Sequence, residues 1–200
     1  MRRLCILGIL AVFFAGFIFS AARMEQLRAN GPNLLLPLAP VDPRALLMGD
    51  YMVLDYADNS AILSAWRKTP EAALAFEGPG GLWSGQLNGL AASGKAVMRL
   101  TRDGAGDGDM PPPRAAFARL DDGTPLADDE VLVAFKVRNH RVVTAAPAYY
   151  FEEGTGSLYA RAAFGRVAVN RDGKTLLLAL CDAKGRDITP ARASEMEKDR

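Results

Sequence analysis

The chain has 200 residues, of which 50% are hydrophobic and 24% are charged, and its formal net charge is +1. This length suits one domain with additional segments. A balanced charge gives no general electrostatic attraction to nucleic acid or to anionic lipid, so nucleic acid is not an expected partner. Neither of the two cysteines, Cys5 and Cys181, has a metal-like spacing to another ligand, and the sequence therefore predicts no disulfide framework and no cysteine metal site.

The first element is an apolar segment, Leu4 to Ala22, that contains no charged residue and follows Arg2 and Arg3. As a helix it spans about 28 Å, close to the bilayer core of about 30 Å. Arg2 and Arg3, on the N-terminal side of the apolar segment, indicate that the N-terminus stays in the cytoplasm and that the chain after the segment is exported. A cleaved signal peptide is the alternative, because Ser20-Ala21-Ala22 offers small residues for cleavage, but the long apolar run favours a retained anchor.

The boundaries of the predicted segments follow from changes in composition along the chain. A helical extension from Arg23 is expected to end at Asn30-Gly31-Pro32. The predicted parts are a cytoplasmic stub over 1–3, a transmembrane anchor over 4–22, a juxtamembrane linker over 23–32, an extracytoplasmic domain over 33–190 and a flexible tail over 191–200.

After a short strand at 33–38, the stretch Val41 to Tyr56 carries the densest local signals. Pro43 fixes its own backbone and pushes Asp42 toward an extended conformation, which predicts a turn. Gly49 permits a second, tight reversal. From Tyr51 the pattern alternates and predicts a strand that directs Met52, Leu54 and Tyr56 to the core and Tyr51, Val53 and Asp55 outward.

Arg44 and Asp50 flank the hinge between these turns with opposite charges. One interpretation is an ion pair that fastens the turn, and the sequence favours it because the neighbouring Pro43 and Gly49 also serve the backbone. The other is that Arg44, Asp50 and Tyr51 form a surface that binds a partner or ligand.

In the middle of the chain, from Ala57 to Phe76, the spacing of apolar residues changes from that of a strand to that of a helix. Asn59 or Ser60 is expected to cap a helix toward Lys68, and Thr69-Pro70-Glu71 is expected to start a second helix through Phe76. The Gly-rich 78–94 predicts a loop anchored by Trp83, followed by a strand at 96–101 and an exposed loop at 102–113.

The C-terminal half has the pattern of β structure. Strands are predicted at 114–120 and 131–138, then a hairpin turn at Asn139-His140, a return strand at 141–145, a helical turn capped by Ser157, and strands at 166–170 and 174–181 around Asp172-Gly173. The predicted fold class is α+β: a mainly antiparallel β domain with a short helical insertion, preceded by one N-terminal transmembrane helix.

Two blocks of sequence carry a family resemblance. Gly49-Asp50-Tyr51-x-x-Leu54-x-Tyr56, led in by Asp42-Pro43-Arg44, resembles the signature of the GDYXXLXY family of bacterial proteins. Tyr149 to Gly156, an aromatic run followed by Glu153-Gly154-Thr155-Gly156, resembles a second block of that family, with Glu152 where Pro is expected. The residues given a structural or docking role on this basis are Asp42, Pro43, Arg44, Gly49, Asp50, Tyr51, Leu54, Tyr56, Glu153, Gly154 and Gly156.

The resemblance implies an exported, membrane-anchored domain, often encoded beside or fused to multi-spanning membrane proteins. It therefore implies a single-pass protein of the bacterial inner membrane, with its domain in the periplasm and a multi-spanning membrane protein as partner. It supplies no catalytic residue, cofactor or metal site, and none is predicted. A non-catalytic docking domain is the favoured function, and the alternative is a hydrolase-like enzyme that acts on an envelope component through carboxylates such as Asp50 and Glu153.

The remaining chemistry favours structural roles. His140 is the only histidine and lies in a predicted turn, which leaves no histidine triad and no usual zinc site. Asp42, Asp50 and Asp55 offer carboxylates but lack the spacing of a calcium loop. The aromatic residues of the two blocks are expected to form a core cluster rather than a ligand platform: Tyr51, Tyr56, Tyr149, Tyr150 and Phe151.

Overall fold

The computed structural model of the chain describes residues 2–39, 51–70, 92–102, 111–138 and 140–189. Its helices are α1 (Arg2–Asn30), α2 (Asn59–Trp66) and α3 (Gly156–Tyr159). Its strands are β1 (Asn33–Pro37), β2 (Tyr51–Val53), β3 (Ala92–Thr101), β4 (Arg114–Leu120), β5 (Glu130–Arg138), β6 (Arg141–Val143), β7 (Ala148–Tyr150), β8 (Phe164–Val169) and β9 (Thr175–Cys181). This order confirms the predicted α+β class.

Helix α1 is continuous, and every residue from Leu10 to Gln26 is exposed. Val12, for example, has an exposed fraction of 74%. A helix that is apolar on all sides yet unburied is suited to lipid. Within the described part of the chain, the single span Leu10–Asn30 is long and apolar enough to cross a membrane. The helix ends as expected, where the Gly31 amide donates to the Leu27 carbonyl at 2.9 Å.

Seven strands form one sheet in the order β6-β5-β3-β4-β1-β8-β9. The neighbours are antiparallel except for β1 and β4, which run parallel. β1 therefore lies inside the sheet, between two strands that come much later in the chain. Its central residues Leu34, Leu35 and Leu36 are 1–2% exposed, as expected of a strand covered on both faces.

The sheet curls until its two ends meet. The Ala134 amide of β5 donates to the carbonyl of Gly173, in the turn between β8 and β9, at 2.8 Å. Beside it, the Thr175 hydroxyl donates to the Thr144 carbonyl at 2.7 Å. Gly173 has φ +85, and a Cβ atom there would lie 2.9 Å from the Ala134 nitrogen. The closure therefore requires a glycine at this turn.

One side of the curled sheet is covered by α2 and by a two-stranded ribbon of β2 and β7. Helix α2 lies against β4 and β6 and buries Ile62 and Trp66, four residues apart on one face. These side chains join one hydrophobic core with the inner residues of the sheet, among them Met98, Val133, Phe135 and Val167.

Three local predictions are wrong. β3 begins at Ala92, inside the predicted 78–94 loop, because Ala92 to Lys95 pair with β5 and Gly94 leaves room for the Phe135 ring. Asn59 is the first residue of α2 and Asp58 occupies the N-cap, so neither Asn59 nor Ser60 caps this helix. Ser157 lies within α3, whose N-cap is Thr155.

Several predictions concern residues outside the described ranges. They are the Asp42-Pro43-Arg44 lead-in with Gly49 and Asp50, the helix through Phe76, the Trp83 anchor, most of the 102–113 loop and the tail after 190. These stay predictions.

Candidate functional site

The signature strand, which is β2 together with the extended residues up to Tyr56, has one buried and one exposed side. Met52, Leu54 and Tyr56 are 4–6% exposed, whereas Tyr51 and Val53 have exposed fractions of 40% and 45%. This division confirms the alternation predicted from the sequence. It arises because successive side chains of a strand point to opposite faces, and only one face of the ribbon meets the core.

The two sequence blocks meet in space, as the expected packing of their aromatic residues requires. β2 pairs antiparallel with β7, so that Tyr51 faces Tyr150, Met52 faces Tyr149 and Val53 faces Ala148. The rings of Tyr51 and Tyr150 are 5.6 Å apart between centroids, at an interplanar angle of 37°. Aromatic pairs at such separations are attractive beyond the area they bury.

The aromatic residues do not form one core cluster, and that prediction is wrong in part. Tyr149 and Phe151 pack on the buried Tyr159 ring, with centroids 5.2 Å and 5.3 Å away. Tyr51 and Tyr150 lie on the opposite side of the ribbon, and Tyr150 is 75% exposed. Because adjacent strand residues point in opposite directions, a Tyr-Tyr pair entering a strand must place one ring outside.

Two of the buried tyrosines are held as neutral phenols. The Tyr56 hydroxyl donates to the Ala146 carbonyl at 3.1 Å, and burial raises the pKa of Tyr56 above its ordinary value. Burial, with the neighbouring Tyr149 as a smaller cause, raises the pKa of Tyr159 to about 12. Both groups therefore stay protonated at neutral pH and serve to fix the ribbon on the core.

A polar network links Asp55, two residues after β2, to Asn59 of α2 and to Thr144, the residue after β6. The Asp55 carboxylate accepts bonds from its neighbour's amide, that of Tyr56, at 3.0 Å and from the Asn59 side-chain amide at 2.8 Å. The Asn59 side-chain oxygen, Oδ1, accepts a bond from the buried Thr144 hydroxyl at 3.1 Å. The sequence does not reveal this network, because Asn59 has the pattern of a helix cap and Thr144 carries no signal.

Asp58 fastens α2 to β4. Its carboxylate accepts the Phe117 amide at 3.2 Å, beside the irregularity in the β3–β4 pairing. Burial raises the pKa of the Asp58 carboxyl above its ordinary value, although the Phe117 hydrogen bond acts in the opposite direction. A carboxylate that already accepts a hydrogen bond from a backbone amide has a structural role.

The second block ends in an exposed turn. Glu153 and Gly154 are exposed, Gly154 has φ +82, and the Thr155 hydroxyl donates to the Glu152 carbonyl at 2.6 Å. Gly156 lies against Phe151, where a Cβ atom would be 3.3 Å from the ring. Glu153 thus lies on an open turn and not in a cleft of the described structure.

The other reactive side chains of the described structure are also in structural positions. Cys181 is fully buried and donates to Asp187 at 3.2 Å, and burial raises the pKa of this thiol to about 12. His140 has φ +61 and lies in the predicted hairpin turn. Within the described ranges, no group of three or more His, Cys, Asp or Glu residues could hold a metal ion.

Comparison with known proteins identifies one family. The family model described as "GDYXXLXY protein" matches residues 13–180, which include both blocks and the C-terminal part of α1. No curated protein and no solved structure matches the chain significantly.

Proposed function

Because the chain belongs to the GDYXXLXY family, we propose that it is a membrane-anchored extracytoplasmic domain that docks, without catalysis of its own, on an integral membrane partner. The partner is a multi-spanning protein of the same bacterial inner membrane. The signature strand and the second block together form the docking surface, which faces the periplasm.

The anchor is supported by α1. Its apolar side chains are exposed, and its span Leu10–Asn30 meets the length and composition needed for a membrane crossing. Arg2 and Arg3 precede the apolar segment and favour a cytoplasmic N-terminus. The domain on the other side then lies outside the cytoplasm. A phosphatase fused to the C-terminus should be active, and activity of a cytoplasmic reporter instead would contradict this topology.

The docking surface is supported by one observation, the exposed Tyr51–Tyr150 pair. These rings and Val53 lie on the outer face of the ribbon, while the opposite face is fastened to the core through Met52 and Tyr149. Exposed tyrosines on a rigid, well-packed strand are typical of binding hot spots, because they offer large contact area at little entropic cost. The two sequence blocks that identify the family therefore contribute exposed side chains as well as core side chains.

The test is photo-crosslinking from position 53 in native membranes. A photoreactive residue in place of Val53 is expected to link the chain to one multi-spanning membrane protein. Tyr150→Ala should abolish that product and leave the melting temperature within about 2 °C, because an exposed side chain contributes little to stability.

The matched control is Leu126→Ala, which truncates an apolar side chain of 41% exposure in a different loop. It should leave both the crosslink and the melting temperature unchanged. A crosslink that survives Tyr150→Ala, or that forms only with soluble proteins, would contradict the proposed surface.

A further inference from the structure

We propose that the open edge of β7 takes an extended segment of the membrane partner as an additional strand, and that this segment carries a Lys or Arg close to Glu152 and Glu153. The inference rests on the proposed function, because it states how the same partner binds beside the Tyr51–Tyr150 pair. It adds hydrogen bonds between the two backbones to the contact that the exposed rings make.

The register of the ribbon determines which backbone groups of β7 point away from β2. The Leu54 amide donates to the carbonyl of Pro147, the residue directly opposite, at 2.8 Å, so these two form a hydrogen-bonded pair. Hydrogen-bonded and non-hydrogen-bonded pairs alternate along antiparallel strands, and the backbone of Tyr149 therefore also faces β2. The amide and carbonyl groups of Ala148 and Tyr150 consequently point to the opposite edge.

These outward groups are free at the edge of the ribbon. Within the described ranges, no hydrogen bond reaches the backbone amide or carbonyl of Ala148 or Tyr150. The other edge of the ribbon differs, because the Ala39 amide donates to the Asp55 carbonyl there at 2.9 Å. Tyr150 is 75% exposed, and β7 itself contains no charged residue. An unpaired edge without a charge is a template for another strand.

The occupant of this edge is an extended chain. The free donors and acceptors recur at every second residue, which is the spacing that the backbone of a strand matches. A helix cannot match it, because its own backbone groups are bonded within the helix. On the outer face, the Tyr150 ring would contact the side chain directly opposite on the added strand. Backbone bonds and ring contacts thus favour the same extended segment.

The charge beside the edge specifies the segment further. Glu152 and Glu153 follow β7 directly and are exposed, and within the described ranges neither carboxylate forms an ion pair. An added strand with Lys or Arg at the matching end would pair with them. A second copy of this chain does not fit, because antiparallel self-pairing of Tyr150 with Ala148 places the uncharged residues 145–146 across from the two glutamates.

The test is Ala148→Pro, which removes one outward amide hydrogen and leaves the bonds between β2 and β7 in place. Proline is tolerated at edge positions of this kind. Ala148→Val is the matched control, because it enlarges the side chain but keeps the amide. In native membranes, with the photoreactive residue in place of Val53, Ala148→Pro should lower the yield of the crosslink at least about fivefold, the effect of one lost hydrogen bond. Ala148→Val should keep it, and both variants should melt within about 4 °C of the native chain.

Hydrogen exchange tests the backbone contact in the native sequence. In the purified crosslinked complex, the amides of Ala148 and Tyr150 should exchange at least about fivefold more slowly than in the free chain. Glu152→Lys/Glu153→Lys should lower the crosslink yield by a similar factor, whereas Asp172→Lys, the same change in a different exposed turn, should not.

The outcomes separate the two proposals. A native chain that gives no crosslink to a membrane protein would refute the proposed function. A crosslink that Ala148→Pro leaves unchanged, or a complex in which both amides exchange as in the free chain, would refute the added strand alone. If Ala148→Pro does not fold, the exchange of the native complex decides. A crosslink to a second copy of the chain, or one unaffected by Glu152→Lys/Glu153→Lys, would refute the basic segment.

Discussion

Gly173→Ala is expected to open the curled sheet at the point where its ends meet. An alanine at φ +85 adopts a left-handed conformation at a cost of about 1–2 kcal/mol. Its Cβ atom would also lie 2.9 Å from the Ala134 nitrogen and 3.3 Å from the Leu132 carbonyl carbon. Displacing the turn to relieve that contact weakens the Ala134–Gly173 hydrogen bond, worth about 0.5–1.5 kcal/mol. The two contributions together should be about 1.5–3.5 kcal/mol.

Gly123→Ala is the matched control. Gly123 has φ +80 and nothing within 4 Å of its Cβ position, so this variant carries the conformational cost alone. The full chain in detergent is unfolded by heat, and tryptophan fluorescence reports the buried Trp66. We expect a fall in melting temperature of about 3–14 °C for Gly173→Ala and a smaller fall, about 2–8 °C, for Gly123→Ala. Equal falls would show that the closure contributes no stability, and the reasoning would be wrong.

Three further predictions concern the signature and the helix that follows it. Tyr56→Phe should lower the free energy of unfolding by about 1 kcal/mol, because it leaves the Ala146 carbonyl without its donor, and urea denaturation measures this loss. The pKa of Asp58 is raised in the folded chain, so its protonated carboxyl stabilises the fold below the ordinary pKa of 3.8. This stabilisation is lost as the pH rises through the raised pKa of the folded chain. The stability of Asp58→Asn relative to the native chain should therefore increase between about pH 4 and 7, as melting temperatures at each pH will report. Arg44→Ala and Asp50→Ala should each lower the melting temperature, with a loss in stability of about 0–1 kcal/mol for an exposed pair and more for a buried one, while partner capture persists.

Each of these has an outcome that would count against it. An unchanged urea midpoint for Tyr56→Phe would mean that the hydroxyl gains nothing from Ala146. A stability difference that stays constant with pH would show that Asp58 does not titrate differently in the folded state. A stable Arg44→Ala variant that no longer captures its partner would establish the docking role of that pair over the structural one.

The sequence by itself determined the local features whose signals lie within a few residues. The alternation from Tyr51 to Tyr56 predicts the buried set, because strand periodicity is a property of the backbone. β4 has the predicted bounds, and the turns at His140 and Gly173 lie where predicted, because both positions take a positive φ. The end of α1 at Asn30 also follows from the adjacent Gly31-Pro32.

Only the tertiary structure decided how these elements combine. β1 is paired with β4 and β8, more than seventy residues later in the chain, and no local pattern encodes that choice. Strand register decides which residues meet across the sheet. It places Tyr51 opposite Tyr150, Gly173 against Ala134 and Arg138 opposite Arg141. Register is set by which side chains fill the shared core, which is a property of the whole domain. The exposed Tyr51–Tyr150 surface therefore becomes visible only in the folded chain.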